Sequence, residues 1–425
     1  MQQTLFLIPS SWFDGPLLIG WLVLGAIFMA VIASKYGLGK DLLGFLPMYG
    51  IIAALIWFVL PQLQVEGLDP ASPNGPMIEQ GLAVRGYGFC LLLAMSSAVG
   101  IIYLRCRQTG FDFDKSLSLT FWMIVCGIVG ARVFYVVQKW DEFNADTPQK
   151  LVTTLLDMTK GGLVVYGSLI GGMLAAIVFF RITKLPWRKA IDVIAPAMVL
   201  GLAIGRLGCL MNGCCYGGVC ESQIGLPFPA GSPPYVHQLQ EGRLLGITGT
   251  IDKEHDYPIV VDSVAPNSLA EQYGISIEDR VFVRVPDGLY LRAVHHDHLE
   301  VDTNVTVFRE KGSDVEIPVS KLPSKSIKVH PTQIYSSVSA FLLAAFLWFY
   351  FPRRRFDGEV FAIMIIIYPI VRFTLEAIRV DEGGQLNTGL TISQIVSIIL
   401  ILIGFGFWTW LRSTSDKPVP EPTLP

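Results

Sequence analysis

The feature that most constrains this chain is a series of long apolar stretches that recur along its 425 residues. Each approaches the roughly 20 residues that an α-helix needs to cross the hydrocarbon core of a bilayer. Such stretches occur at about 17–34, 43–60, 82–104, 117–137, 161–180, 190–211, 334–351, 358–378 and 389–411. The sequence therefore predicts a polytopic α-helical membrane protein with about nine transmembrane helices.

The composition agrees with a membrane protein, because 52% of the residues are hydrophobic and 16% are charged. Globular domains carry about 25% charged residues. The formal net charge of −3 gives no reason to expect a nucleic-acid partner. Residues 1–16 contain no Lys or Arg, so we predict that the first apolar stretch is a retained helix and not a cleaved signal peptide.

Basic residues are divided unequally between the loops. The richer alternating set holds Lys35, Lys40, Arg105, Arg107, Lys115, Arg181, Lys184, Arg188, Lys189, Arg353, Arg354, Arg355, Arg412 and Lys417. The poorer set holds Arg85, Lys139, Lys150, Lys160 and Arg379. Lys and Arg collect in cytoplasmic loops, so we predict an outside N-terminus and a cytoplasmic C-terminal tail at 412–425.

Residues 212–333, between the sixth and seventh predicted helices, break the apolar pattern, and we predict an inserted domain at 221–329 within them. Four segments alternate polar and apolar residues and are rich in valine, as half-buried strands are. They are PIVVDSV (258–264), DRVFVRV (279–285), NVTVFRE (304–310) and DVEIPVS (314–320). The sequence predicts a small β-rich domain, inserted on the extracytoplasmic side of the membrane.

The segment VVDSVAPNSLAEQYGISIEDRVFVRV (260–285) resembles the core of a bacterial PDZ domain. The matching positions are Val264, Pro266, Ser268, Ala270, Gly274 and Asp279. The resemblance implies a short helix after Ser268, a turn at Gly274 and a closing hairpin that turns at Lys311-Gly312. PDZ domains bind extended peptides by adding a strand to a sheet edge, and a β-rich spacer without a ligand is the alternative.

Charged residues within the predicted helices are few, and such residues are costly in a bilayer. Arg132, Arg206, Arg372 and Glu376 fall in the outer halves of their helices, whereas Asp192 and Glu359 fall at inner ends, where we expect structural roles. Polar segments from five helices converge on the same outer leaflet. They are RGYG (85–88), GGLVVYGSLIGG (161–172), GLAIGRLGCLMNGCCYGG (201–218), VHPTQIY (329–335) and YPIVRFTLEAIR (368–379). This convergence predicts a site at the outer membrane surface.

Arg206 and Arg372 are the main candidates for ligand binding at that level. A guanidinium is a permanently charged fork that matches phosphate oxygens, and phospholipid phosphates are the anions at this depth. The alternatives are arginines that extend to the interface or an Arg372 that pairs with Glu376. A cluster drawn from several helices favours function.

These motifs together resemble the prolipoprotein diacylglyceryl transferase family. Its signature typically reads G-R-[IL]-G-N-F-x-N-x-E-x-x-G, which GRLGCLMNGCCYGG (205–218) resembles. The likeness continues in RGYG, GARVFYV (130–136), GGLVVYGSLIGG, DVIAP (192–196), HPTQIY (330–335) and YPIVRFTLEAIR. It implies a transferase core in two parts, 82–220 and 330–411. Residues 1–81, with two predicted helices, and the insertion lie outside that core.

The resemblance implies transfer of the diacylglyceryl group of phosphatidylglycerol to the lipobox cysteine thiol of a prolipoprotein, leaving a thioether and releasing glycerol phosphate. No metal or soluble cofactor is implied. The residues expected at catalytic positions are Arg206, Arg372, Tyr166 and His330. Those expected to bind substrate are Tyr87, Arg132, Gly208, Asn212, Gly217, Gln333, Tyr368, Glu376 and Arg379. The expected location is the bacterial cytoplasmic membrane, with prolipoprotein signal peptides as partners.

Departures from the family pattern at four positions matter for the site. Tyr166 replaces a His regarded as a candidate base, and a Tyr with a pKa near 10 is a poorer base. Cys209 and Cys214 replace the signature Asn and Glu, and Ser336 replaces a Glu that commonly follows the H-P-x-Q-x-Y segment. Four cysteines, at 209, 214, 215 and 220, fall near the outer face, where a disulfide, a metal site and simple packing are all open.

Other function classes have weaker support. The sequence contains no H-E-x-x-H and no G-x-S-x-G, which argues against an intramembrane zinc protease or a rhomboid-type serine protease. A phospholipid-binding scaffold or a transporter with a peptide-binding PDZ-like module is the non-enzymatic alternative. Internal repeats, which would favour a transporter, are not apparent.

Overall fold

The structure, a computed structural model, describes residues 4–9, 12, 15–36, 50, 53, 57, 65–67, 79–140, 164–252, 255–286, 304–379 and 389–415. The helices are α1 (Pro16–Tyr36), α2 (Gly86–Thr109), α3 (Phe113–Gln138), α4 (Val165–Thr183), α5 (Trp187–Asn212), α6 (Pro233–Gln240), α7 (Leu269–Gln272), α8 (Thr332–Tyr350), α9 (Glu359–Glu376) and α10 (Ile392–Thr414). The strands are β1 (Thr4–Pro9), β2 (Val65–Gly67), β3 (Glu79–Arg85), β4 (Ile247–Ile251), β5 (Ile259–Val264), β6 (Arg280–Arg284), β7 (Asn304–Arg309) and β8 (Val315–Pro318).

Six of the described helices are long and apolar enough to cross a membrane: α2, α3, α4, α5, α8 and α10. The 18-residue α9 coincides with the eighth predicted stretch and carries Glu359, Arg372 and Glu376. The 21-residue α1 follows the first predicted stretch. The second predicted stretch, 43–60, lies almost wholly outside the described residues. The described part of the chain is therefore a polytopic helical membrane protein.

The start of the third predicted helix is wrong by four residues. Residues 82–85 belong to β3, which pairs antiparallel with β1 and with β2 in a three-stranded sheet. Helix α2 begins only at Gly86. Apolar residues lie on both sides of Arg85, in the strand and in the helix, and hydropathy alone does not separate the two elements.

Helices α3 and α4 pack against each other through glycines. A Cβ built on Gly167 would lie 2.3 Å from the Gly130 carbonyl oxygen, and one on Gly171 would lie 2.2 Å from that of Cys126. Only glycine permits this approach of two backbones, as in the small-residue interfaces of membrane helices. The same contact fixes Arg132 on α3 and Tyr166 on α4 to a common, rigid helix pair.

The contacts of Asp192 confirm the structural role expected for this residue. Its side chain is fully buried, and its two carboxylate oxygens accept hydrogen bonds from the Gly358 and Phe361 N–H groups at 2.7 and 2.9 Å. These are donors that the first turn of α9 leaves without intrahelical partners. The Arg354 guanidinium lies 3.6 Å away. A carboxylate on α5 therefore caps α9.

Between α5 and α8 the chain forms a five-stranded antiparallel sheet in the order β4-β5-β6-β7-β8. The four predicted strands are present as β5 to β8. The alternation that predicted them is seen in β6, where Val281 and Val283 are buried on one face. Ser268 caps the short α7 by accepting from the Glu271 N–H. Strand β4 and helix α6 were not expected from the sequence.

Candidate active site

The turn that follows α5 gathers three cysteine thiols. The Cys214 N–H donates to the Cys209 carbonyl at 3.1 Å, which folds the chain back at the end of the helix. Cys215 then adopts φ +60°, a left-handed conformation that costs energy for a residue with a Cβ. As a result the Sγ atoms of Cys209, Cys214 and Cys215 all lie within 4.8 Å of one another. Cys220, the fourth predicted member, is instead buried beside Ser222.

Side chains at the start of α8 bind two carbonyl groups of this turn, those of Cys214 and Cys215. The Thr332 hydroxyl donates to the Cys215 carbonyl at 2.6 Å, and the Gln333 side-chain amide donates to the Cys214 carbonyl at 2.7 Å. Gln333 is only 1% exposed. Two short hydrogen bonds from buried side chains hold the Cys214-Cys215 backbone in its strained conformation.

Gly217 joins three segments. Its N–H donates to the His330 carbonyl at 2.9 Å, and the adjacent Gly218 N–H donates to the Ile378 carbonyl at 3.1 Å. A Cβ on Gly217 would lie 2.8 Å from both His330 Cβ and Thr332 Cγ2, and 3.1 Å from the Ile378 oxygen. The three chain segments can meet only because residue 217 has no side chain.

Two guanidinium groups place positive charge near the Cys215 thiol. Neighbouring Cys209 and Cys214 thiols, together with the Arg206 and Arg379 guanidinium groups, hold the pKa of the Cys215 thiol below its ordinary value. Tyr87, in the first turn of α2, interacts electrostatically with all three cysteines and with Arg206. Gly208 lets this part of α2 pack closely, since its Cβ position lies 3.2 Å from the Tyr87 ring.

The predicted residues Tyr87, Arg206, Gly208, Asn212, Gly217, His330, Gln333 and Arg379 thus belong to one compact unit of the chain. The predicted residues Arg132, Tyr166, Tyr368, Arg372 and Glu376 belong to another. Asn212, the last residue of α5, is exposed.

In the second unit, Arg372 is held by an ion pair. Its Nη1 lies 2.6 Å from Glu376 Oε2, and its Nη2 donates to the Ser393 hydroxyl at 3.1 Å. The Glu376 side chain is fully buried, and Thr391 donates to its other oxygen at 3.4 Å. The sequence alternative of an Arg372–Glu376 pair is therefore confirmed. It orients a guanidinium that has five donors in a fixed fork.

Arg132 is 8% exposed and packs over the Tyr135 ring, 5.4 Å from its centroid. Tyr166 is 37% exposed at the start of α4, and Tyr368 is half-buried in α9. Along α3 and α4 runs an apolar groove of about 740 Å³, lined by residues that include Trp122, Val133, Phe134, Ile170 and Leu174. Its apolar lining suits a hydrocarbon chain.

Comparison with known proteins gives the chain its family. The sequence model of prolipoprotein diacylglyceryl transferase matches residues 76–410. The chain belongs to the prolipoprotein diacylglyceryl transferase family. A protein of Rhodopirellula baltica, named phosphatidylglycerol–prolipoprotein diacylglyceryl transferase, is 35% identical over 98% of this chain and 91% of its own length.

More distant relatives agree. A protein of Clostridium perfringens, named phosphatidylglycerol–prolipoprotein diacylglyceryl transferase 2, is 24% identical over 76% of this chain and 90% of its own length. One of Thermosynechococcus vestitus, with the same name without the number, is 25% identical over 82% of this chain and 96% of its own length.

The cysteine turn departs from the family signature. Two of its thiols, Cys209 and Cys214, stand where the family signature has Asn and Glu. The sequence alone did not identify Thr332 as a site residue, and it singled out Cys215 only as one of four cysteines near the outer face. Thr332 lies inside the HPTQIY motif, so the motif could have identified it as a site residue. No sequence pattern predicts its contact with Cys215, 117 positions away.

Proposed function

We propose that this chain transfers the diacylglyceryl group of phosphatidylglycerol to the lipobox cysteine thiol of a prolipoprotein. The observation that carries the proposal is the family match over residues 76–410, which includes every predicted site residue. In the reaction the acceptor sulfur attacks the glyceryl carbon bonded to the phosphate oxygen. A C–S bond forms, the C–O bond breaks, and glycerol phosphate leaves with the electron pair.

Arg206 and Arg372 are proposed to bind the phosphate and to stabilise the charge that develops on its leaving oxygen. Preorganised donors of this kind are typically the largest contribution to catalysis. Arg372 is oriented before substrate arrives, because Glu376 and Ser393 already engage two of its nitrogens. Glu376 itself is negative and fully buried, so we assign it the positioning of Arg372 rather than direct contact with the lipid phosphate.

The remaining predicted residues fall into two proposed roles. Gly208, Gly217 and Gln333 shape the turn after α5, since each is buried and makes close contacts there. The polar and aromatic side chains of Tyr87, Arg132, Asn212, Tyr368 and Arg379 are proposed to bind the headgroup or the acceptor peptide. The apolar groove on α3 and α4 is proposed to take an acyl chain of the lipid.

Activation of the acceptor thiol needs a proton acceptor, because a free cysteine thiol has a pKa near 8.5. Tyr166 and His330 are the proposed candidates. Tyr166→Phe and His330→Ala separate them: undiminished turnover in either variant removes that residue from the mechanism. A pH–rate profile that changes shape in only one variant identifies the residue that titrates.

We also propose the orientation derived from the basic loops, with an outside N-terminus, a cytoplasmic C-terminus and an extracytoplasmic site. The transferase core would then comprise 82–220 and 330–411, with two extra helices in 1–81. The antiparallel sheet, the capped α7 and the hairpin between β7 and β8 support a PDZ-like interpretation of 221–329. Its proposed ligand is an extended peptide.

A transfer assay tests the function. Purified full-length protein is supplied with phosphatidylglycerol and a lipobox peptide, and the thioether product is measured by mass spectrometry. We expect product with the cysteine peptide and none with its serine counterpart. Arg206→Ala and Arg372→Ala are expected to abolish transfer. A wild-type protein that binds the lipid yet makes no thioether would instead support the phospholipid-binding scaffold or transporter.

A further inference from the structure

The three thiols at the end of α5 have the spacing of a metal site. Zinc–sulfur bonds of about 2.3 Å in tetrahedral geometry put sulfur atoms about 3.8 Å apart. The Sγ atoms of Cys209, Cys214 and Cys215 lie within 4.8 Å of one another. No pair of sulfur atoms therefore has to close by more than about 1 Å to share an ion.

The backbone that carries these thiols is fixed independently of any ligand. The Cys214 N–H bonds to the Cys209 carbonyl, and Thr332 and Gln333 hold the next two carbonyls. Cys215 keeps a positive φ within this clamp. Strained residues that the surrounding structure holds in place concentrate at functional sites, and rigid support is what a ligand set needs.

The surrounding charges also suit a thiolate cluster. Three thiolates around a divalent cation leave one excess negative charge, and around a monovalent cation two. The Arg206 and Arg379 guanidinium groups interact electrostatically with Cys215. Two fixed positive charges beside the cluster offset this excess, which would otherwise be costly at a half-buried position.

We propose that Cys209, Cys214 and Cys215 together bind one thiophilic metal ion, Zn²⁺ or Cu⁺, through their three thiolates. Thiolate sulfur selects these two ions over Mg²⁺, Ca²⁺ and Mn²⁺. Cys215, at a position where the family signature specifies no residue, completes the set with the two cysteines that replace Asn and Glu. The family resemblance implies no metal, so this site takes up the metal alternative that the sequence left open for these cysteines.

Three protein ligands leave a tetrahedral zinc ion one exchangeable position, as in catalytic zinc sites. This step rests on the proposed function: the lipobox thiol of the acceptor takes that position as a thiolate and releases its proton to water. The bound sulfur then forms the C–S bond while the C–O bond to phosphate breaks. A metal-bound thiol is deprotonated outright, so the poor basicity of Tyr166 no longer limits the reaction.

The binding test starts from full-length protein purified without reductant or added metal. Elemental analysis is expected to give one Zn or Cu per chain, and metal-free reduced protein is expected to bind one equivalent of the same ion. In a zinc protein, Co²⁺ replacing the ion should give sulfur-to-cobalt charge-transfer absorption.

Bound metal should also protect the three thiols from alkylation by iodoacetamide, a measurement that needs no variant. Cys215→Ser should weaken binding at least tenfold, whereas Cys126→Ser, on α3, should leave it unchanged.

Other results would overturn the site. If two of the three cysteines form a disulfide and the reduced protein binds no metal, the cluster is a redox pair and not a metal site. Metal that stays bound in the Cys209→Ser, Cys214→Ser, Cys215→Ser triple variant lies elsewhere.

The role in transfer has separate outcomes. A lipobox peptide, and not its serine counterpart, should shift the Co²⁺ spectrum, and metal removal should stop thioether formation. Full transfer by metal-free protein refutes the role and leaves the proposed function standing. A spectral shift without any transfer keeps the metal site and rejects the proposed function.

Discussion

Arg372 and Glu376 form an ion pair of 2.6 Å, one helical turn apart on α9, with the Glu376 side chain fully buried. A carboxylate taken out of water must be paired, because leaving it alone costs several kcal/mol. Thr391 and Ser393, at the start of the following helix, complete the set. The arrangement therefore fixes the direction of one guanidinium, as a phosphate-binding group requires.

Arg372→Lys tests the importance of that geometry. Lysine keeps the positive charge but loses the planar fork that matches two phosphate oxygens, so we expect transfer to fall about 100-fold. Glu376→Gln keeps the shape of the positioning residue and should raise KM for the lipid more than it lowers kcat. Steady-state kinetics with varied phosphatidylglycerol measures both. Arg412→Lys, at an exposed position of α10, serves as the control, and equal losses in all three variants would refute the assignment.

Gly217→Ala tests the junction of three segments. The new methyl group would lie 2.8 Å from His330 and Thr332 atoms, so the segments must separate. Overpacking of this kind costs about 1–3 kcal/mol, and we expect a lower melting temperature together with loss of transfer. Gly100→Ala on α2 is the matched control, because no atom lies within 4 Å of its Cβ position. A Gly217→Ala protein with normal stability and activity would show that the junction yields readily.

The membrane helices were predictable because each is a continuous apolar run of nearly the length a bilayer demands. Their ends were less so, since caps and not hydropathy decide them. Helix α3 begins at Phe113, four residues before the predicted start, because Asp112 accepts a hydrogen bond from the Lys115 N–H. Helix α6 had a readable signal in Ser232 followed by two prolines, a common helix start, that hydropathy did not register.

The site was predictable as a set of motifs and not as a set of contacts. Sequence identified Gln333 as a site residue, but its hydrogen bond to the Cys214 carbonyl crosses 119 positions. No local pattern encodes such a pairing. The positive φ of Cys215 was equally hidden, because cysteine has no preference for that conformation. Long-range packing decides both features.

Asp192→Ala is expected to destabilise the protein without touching the predicted site. The substitution removes two hydrogen bonds to the first turn of α9 and takes the Asp192 carboxylate away from the buried Arg354 guanidinium. Breaking a buried pair costs about 3–5 kcal/mol, seen as a clear fall in the melting temperature in detergent. Asp112→Ala removes a comparable cap at an exposed helix start and should cost about 1 kcal/mol. Equal effects of the two substitutions would contradict this account.

Tyr235, in the inserted domain, makes a pH-dependent contribution to stability. Its side chain is 1% exposed, its hydroxyl donates to the Pro323 carbonyl at 2.8 Å, and burial raises its pKa to about 12. The unfolded chain has the ordinary tyrosine pKa near 10, so the folded state binds the phenolic proton more tightly. This stability is fully present below pH 10 and is lost as the pH rises towards 12. When the pH is raised from 9 to 11, the melting temperature of the full-length protein should therefore fall further for wild type than for Tyr235→Phe, whose side chain cannot ionise. Equal falls would mean that the Tyr235 hydroxyl titrates normally in the folded protein.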